Sequence, residues 1–385
     1  MWKEAQAAQG ARARATLNEA IAAGGGWLSF ERFMDLALYA PGAGYYSGGT
    51  RKFGTGGDFT TAPEISSLFG RCVALQCAEV LSALPGGGSI LELGAGSGRL
   101  ALDILARLEE LGQLPEHYWI LEVSAELRQR QRALLHDRLP RVSSRVAWLD
   151  RPPEVPFEGI VLANEVLDAL PVKRFRWFAD GVQELGVGIE DGQFTWAARP
   201  ANSGMDQECR RLCAAGGGWD EGYVSEYCPR MPAWTRVVTQ PLRKGAALWF
   251  DYGLPRAQYY LPERHDGTLA CHYRHRVGND PFDHVGLQDI TAWVDFTRLA
   301  EASREADFTL AGFTTQVHFL AGLGIDKEMH LAAADDQNAF ARLANQARQL
   351  MLPGEMGERF KAMAWLRGLE LPLSGFGLLD LRHSL

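Results

Sequence analysis

The sequence predicts an α/β protein built on a doubly wound, mostly parallel sheet, and three observations carry that expectation. Ser89–Leu102 reads as an apolar strand, a glycine turn and the start of an amphipathic helix. Apolar runs recur near 89–93, 118–122, 145–148 and 159–163 with helical stretches between them, the alternation of βαβ units. A fifth run, Gly245–Gly253, resumes the pattern after a segment of different character.

The elements follow in order. Lys3–Ala23 reads as a first helix, clearest over Thr16–Ala23, ended by Gly24, Gly25 and Gly26. Ser29 is placed to cap a second helix over 29–38. Tyr39–Tyr46 leads into a long glycine-rich loop, Ser47–Pro63, of a length that is usually functional or disordered. After the four strands, Val172–Phe178, Gln183–Ile189 and Gln193–Ala198 are short strand-like runs. Asp180-Gly181 and Asp191-Gly192 join them as hairpin turns, so a β-meander is expected, then helices near 205–214 and 230–240. Beyond the fifth strand lie a polar, proline-punctuated excursion (254–284), a helix near 295–306, a strand over 309–316 and a helical insertion over 318–352. Phe360–Leu366 fits either a last antiparallel strand or a helix. The expected division is an N-terminal helical and loop region (1–84), the first half of the core (85–172), a meander and helical insertion (173–244), and the second half of the core (245–385).

Composition narrows the class. A net charge of -8 argues against a non-specific nucleic-acid binder, while leaving room for a basic protein substrate. No apolar run reaches the length of a membrane span, and the N-terminus lacks the apolar region of a signal peptide. The six cysteines form no CxxC pair, so a reducing, cytoplasmic setting is expected. Cys271-His272-Tyr273-Arg274-His275 has a zinc-like look, but with no second cysteine pair nearby it is read as buried thiol and hydrogen-bonding histidines, and no metal is expected. Homo-oligomerisation is left open.

The glycine spacing selects the ligand. A dinucleotide turn needs glycines at its first, third and sixth positions, and here the sixth is Arg99. Glu92-Leu-Gly94-Ala-Gly96-Ser-Gly98 instead resembles motif I of class I S-adenosyl-L-methionine (SAM) methyltransferases. Glu122 ends the second strand 24 residues after Gly98, where a carboxylate can accept from both ribose hydroxyls of an adenosine; the bland alternative is a solvated strand-end charge. The fourth strand ends in Asn164, Glu165 and Asp168. Carboxylates there can hold a guanidinium bidentately and accept its proton; equally, Asn164 and Glu165 can cap a following helix. In the long loop, Asp58, Thr60 and Glu64 offer polar contacts, and Pro63 suits a helix start. Glu226 reads as a strand charge.

Together the blocks Tyr39-Ala-Pro-Gly-Ala-Gly-Tyr-Tyr46, Gly56–Gly70, Leu91–Gly98, Asn164–Val172, Asp251-Tyr-Gly253, Val294-Asp-Phe296 and Met356–Lys361 resemble the MidA family over nearly the whole chain. The resemblance implies a Rossmann-like class I fold that uses SAM, with donor contacts at Gly94, Gly96, Gly98 and Glu122. It implies closure of Gly57–Ser66 over the donor and places Asn164 and Glu165 beside the transferred methyl. Eukaryotic members are mitochondrial complex I assembly factors acting as protein arginine methyltransferases. An arginine of a protein is therefore the implied acceptor, a respiratory-complex subunit in the mitochondrial branch. Two alternatives are a non-catalytic SAM-binding factor that docks a client and a small-molecule methyltransferase. Much of the family carries an arginine inside motif I where this chain has Ser97, and whether Arg99 replaces it is left open. The missing transit peptide points to a bacterial member.

Overall fold

The computed structural model describes residues 2–48 and 61–385. Two compact units emerge, each assembled from separated stretches of chain. One takes its described residues from Met1–Phe59, Leu167–Met231 and Leu254–Arg298; the other comprises Thr60–Val166, Pro232–Gly253 and Leu299–Leu385.

The second unit holds the predicted sheet. Its strands are β1 (Ser89–Leu93), β2 (Tyr118–Leu121), β3 (Val146–Leu149), β4 (Phe157–Asn164), β5 (Leu242–Leu254), β6 (Thr309–Thr315) and β7 (Phe360–Arg367). They lie in the order β6-β7-β5-β4-β1-β2-β3. β1 to β5 are mutually parallel, and β7 runs antiparallel to both β5 and β6. The 360–366 segment is thus a strand. Its alternation places Ala362, Ala364 and Leu366 in one apolar core and Met363 and Trp365 on the opposite face, so both faces are buried and a helical period has no solvent side to satisfy.

Three helices of this unit flank the site: α1 (Ser67–Ser82), α2 (Arg99–Glu110) and α3 (Ala125–Arg138). Their starts are chemically marked. Ser66 Oγ accepts from Leu68 N at 3.3 Å and Ser124 Oγ from Leu127 N at 3.4 Å, each satisfying an amide the first turn leaves orphaned. The helical insertion resolves into Gln316–Gly322, Ile325–Ala333 and Gln337–Met351. It is tied down by buried Glu328, which receives Arg71 Nε at 2.9 Å and an Arg107 guanidinium nitrogen at 2.7 Å.

In the first unit the initial helix runs Trp2–Ala23, and Ser29 caps the next, Phe30–Tyr39, its Oγ accepting from Arg32 N at 3.3 Å. The meander is present: Lys173–Arg176, Gln183–Glu190 and Gln193–Pro200 pair antiparallel in turn, joined by Val224–Tyr227 and Leu28–Ser29. Its second turn has Asp191 and Gly192 both in the left-handed region, at φ 49° and 74°, as a two-residue hairpin of that hand requires. The 254–284 excursion is more ordered than a polar connection. It contains a short helix, Arg256–Tyr259, and two strands of a three-stranded sheet, Ala270–Tyr273 and Arg276–Gly278, which Asp289–Thr291 completes.

Cys271 is buried there, and among the described residues no group of His, Cys, Asp and Glu is arranged to hold a metal. All six cysteines are free, and burial pushes the thiol of Cys228 up to about 11. No described helix is long and apolar enough to cross a membrane.

Candidate functional site

The site is built on the carboxyl ends of β1, β2 and β4, all within the second unit. After Leu93 the chain turns through Gly94, Gly96 and Gly98 at φ 64°, 54° and 84°. Glycine takes the left-handed region without the steric cost a Cβ brings, which favours glycine at three such positions in five. The Gly94 amide donates to Leu121 O at 2.9 Å, stitching the turn to the end of β2. Gly98 then caps the start of α2, where the positive end of the helix dipole lies, and the Arg99 amide donates to Ser97 Oγ at 3.3 Å.

Glu122 lies one residue past β2 and is 5% exposed. Its Oε1 accepts from Ser124 N at 3.0 Å and its Oε2 from Gln131 Nε2 at 3.1 Å. Gln131, fully buried on α3, also donates to Gly96 O at 2.8 Å and accepts from Trp148 Nε1 at 2.8 Å. One side chain therefore joins the glycine turn, the acid after β2 and the end of β3. Gln131 belongs to none of the sequence motifs. The available signal was a polar residue in the stripe Leu127–Gln131–Leu135, all three buried on one helix face.

Glu92 is placed differently from the turn it precedes. It is 2% exposed and points into the core beside Tyr118, whose hydroxyl donates to Oε2 at 2.9 Å. Burial pushes its carboxyl up to about 8, against the lowering effect of the Tyr118 bond and with help from the Glu122 charge. Glu64 follows Pro63 in the short helix Ala62–Ile65 and accepts from Ser97 Oγ in the glycine turn. Asp58 and Thr60 lie outside the described residues.

At the end of β4, Asn164 sits level with Phe250 of β5, and the Glu165 amide donates to Phe250 O at 2.8 Å. Glu165 has φ 54°, a left-handed conformation that costs a non-glycine residue on the order of 1 kcal/mol and turns the chain out of the sheet. Its Oε1 accepts from Asn164 Nδ2 at 3.1 Å and from Ala62 N at 3.3 Å. With its amide nitrogen so engaged, Asn164 is left with a buried Oδ1 that has no partner among the described residues. No helix begins after Asn164: the chain continues through a bend and a turn to Lys173. The helix-cap alternative for Asn164 and Glu165 is therefore overturned, because there are no first-turn amides for them to satisfy. Asp168 falls in the first unit, buried near Tyr39 and Tyr46. In that unit Glu226 is fully buried rather than a surface charge, its Oε1 accepting from Thr268 N at 2.7 Å, Thr268 Oγ1 at 2.8 Å and Tyr259 Oη at 3.0 Å.

Known proteins resemble this chain in sequence and fold. Residues 72–314 match a family model described as S-adenosyl-L-methionine-dependent methyltransferase. The chain is 30% identical over 413 residues to the mitochondrial protein arginine methyltransferase NDUFAF7 of Danio rerio, covering 93% of this chain and 90% of that protein. The Bos taurus protein of the same name is 30% identical over 376 residues, covering 88% and 80%. Among solved structures, a COG1565 superfamily member from Burkholderia thailandensis bound to S-adenosyl-homocysteine superposes with a TM-score of 0.93 at 44% identity, covering 99% of this chain and 98% of that one. A native structure from the same organism and superfamily superposes at 0.90 and 43% identity, over the same shares of each chain. The glycine turn, the acid after β2 and these matches lead to one conclusion: the chain belongs to the MidA-type family of SAM-dependent methyltransferases.

Proposed function

We propose that this methyltransferase acts on a guanidinium nitrogen of an arginine in a protein substrate. The observation that carries the reading is the pair of acceptors at the end of β4: the Glu165 carboxylate, and the buried Asn164 oxygen with no partner among the described residues. A guanidinium offers five N–H donors in a planar fork and no acceptor, the complement of such a pair. The relatives' names as protein arginine methyltransferases support it.

Gly94, Gly96, Gly98 and Glu122 would hold SAM, with Pro63 and Glu64 flanking the turn. When bound, SAM supplies a methyl group activated by its sulfonium. Asn164 and Glu165 orient the acceptor nitrogen for in-line attack, which is most of what such a displacement needs. Glu165 also takes the proton that the nitrogen sheds on forming its bond to carbon.

Lysate from cells lacking the protein, incubated with purified enzyme and methyl-tritiated SAM, tests the proposal. Label in a protein band, recovered as methylarginine after hydrolysis, is the expected result. Label only in small molecules would overturn it in favour of a metabolite acceptor. No label despite SAM binding would favour a non-catalytic factor that docks a client.

A further inference from the structure

We propose that a second groove in the sheet unit, lying mostly at the amino ends of its strands, docks a basic, arginine-bearing extended segment of the protein substrate. The groove has a volume of about 810 Å³ and is bounded by the loop before β1, the start of β2, the end of β3 and the connection 150–156 into β4. Since β1, β2 and β4 are parallel, most of this lining lies at their amino ends, whereas the glycine turn lies at the carboxyl end of β1. A five-residue strand puts the two ends of β1 on the order of 17 Å apart, so most of the groove lies away from the turn, while its Trp148 wall is joined to the donor site through Gln131.

Its chemistry suits a cationic chain. Trp119 forms an aromatic shelf with His117 stacked at 5.4 Å and Phe157 edge-on at 5.1 Å. Trp148 lines the other side and already carries the protein's own Arg132 over its ring at 4.9 Å, the cation–π arrangement an incoming arginine would repeat. The lining holds four carboxylates, Glu116, Asp150, Glu154 and Glu158, against one cation, Arg151. Asp150 is paired with Arg128, Glu154 with Arg151 and Glu158 with Arg243; the Glu154–Arg151 pair is exposed on both sides and costs little to exchange for a ligand's cation, and Asp150 is itself exposed beside a largely buried Arg128. Pro152, Pro153 and Pro156 fix backbone angles in the connecting loop, and Val155 stands 76% exposed beside them. A preset loop loses less entropy when a chain is laid against it. Docking remote from the chemistry raises the effective concentration of the acceptor arginine without touching it. The purpose assigned to the groove rests on the protein-arginine reading; its capacity to bind does not.

The test is fluorescence anisotropy of a labelled nona-arginine peptide on the full chain without any methyl donor, with nona-glutamate as control. Glu116→Lys/Glu154→Lys reverses two exposed rim charges, and Glu109→Lys/Glu355→Lys makes the same change in net charge on exposed positions elsewhere. Thermal melts and calorimetry with S-adenosyl-homocysteine check that both double variants are folded. The expected result is binding of nona-arginine that weakens at least tenfold in the groove variant and less than threefold in the control. Equal weakening in both variants, or no binding above nona-glutamate, would overturn the proposal. Because no transfer is measured, such a failure is distinct from failure of the methyltransferase reading, which the lysate assay decides.

Discussion

Replacing Gln131 by leucine keeps its volume but removes its three hydrogen bonds, and so tests whether one buried amide organises the donor site. In the native chain Gln131 reaches Gly96 O at 2.8 Å, Glu122 Oε2 at 3.1 Å and Trp148 Nε1 at 2.8 Å. The Glu122 bond is charge-assisted and its carboxylate is buried, so its loss costs about 1.5–3 kcal/mol. Gly96 and Trp148 are only partly buried, water can replace their partner, and each loses roughly 0.5–1 kcal/mol. Together these come to about 2.5–5 kcal/mol of stability in urea titration. Freed of Gln131, the Gly96 carbonyl and the Glu122 carboxylate lose their common anchor, and affinity for S-adenosyl-homocysteine by calorimetry should fall tenfold or more, about 1.4 kcal/mol. Gln131→Glu preserves an acceptor for Trp148 but sets a second carboxylate against Glu122, so its deficit should grow as pH rises. An unchanged affinity in a destabilised Gln131→Leu protein would refute the organising role. Unchanged stability would refute the worth assigned to the bonds.

Three further outcomes follow from the same geometry. Glu165→Gln should leave S-adenosyl-homocysteine affinity nearly intact and cut single-turnover methyl transfer by about 10²-fold, the scale of a positioned acid–base group; normal turnover would remove Glu165 from the chemistry. Gly98→Ala places a side chain at φ 84° with its Cβ 3.1 Å from Gln131 Cγ, and should cost at least ~1 kcal/mol in urea unfolding together with donor affinity; a neutral result would contradict the strain argument. Glu92 has a carboxyl raised in the fold to about 8, so the folded state binds the extra proton, and the stability it gives at low pH is lost as pH rises from the ordinary carboxylate range through about 8. Glu92→Gln should therefore melt near wild type at pH 5 and above it at pH 8.5; a pH-independent difference would show that Glu92 ionises freely in the fold.

What was legible in the sequence was local. Apolar period placed all five parallel strands within two or three residues, because the strands of a parallel sheet covered by helices read as near-continuous apolar runs. The three glycines marked the turn because glycine takes left-handed angles without the steric cost other residues bear there. The meander was legible from its Asp-Gly turns, and Ser29 from its place before a helical stripe. By itself the sequence thus determined that there would be a strand-turn-helix donor site and roughly where its backbone lies.

Other properties were decided only in three dimensions. Phe360–Arg367 is a strand because β5 and β6 each offer it an antiparallel partner, at distances along the chain that no local pattern reports. Glu92 and Glu122 are both acids next to strand ends, yet one is turned into the core under Tyr118 and the other is held at the ligand side by Ser124 and Gln131; strand alternation and a partner on another strand or helix make that choice. Asn164 and Glu165 looked equally like a helix cap until the chain after them proved to be a turn. Gln131 carried no motif at all, and its importance comes from three groups brought to it by three different segments. The sequence alone determined backbone conformation wherever sterics strongly favour one residue type. Which way each polar side chain faces, and with whom it pairs, was decided by the tertiary structure, because hydrogen-bond partners are a property of packing rather than of chain order.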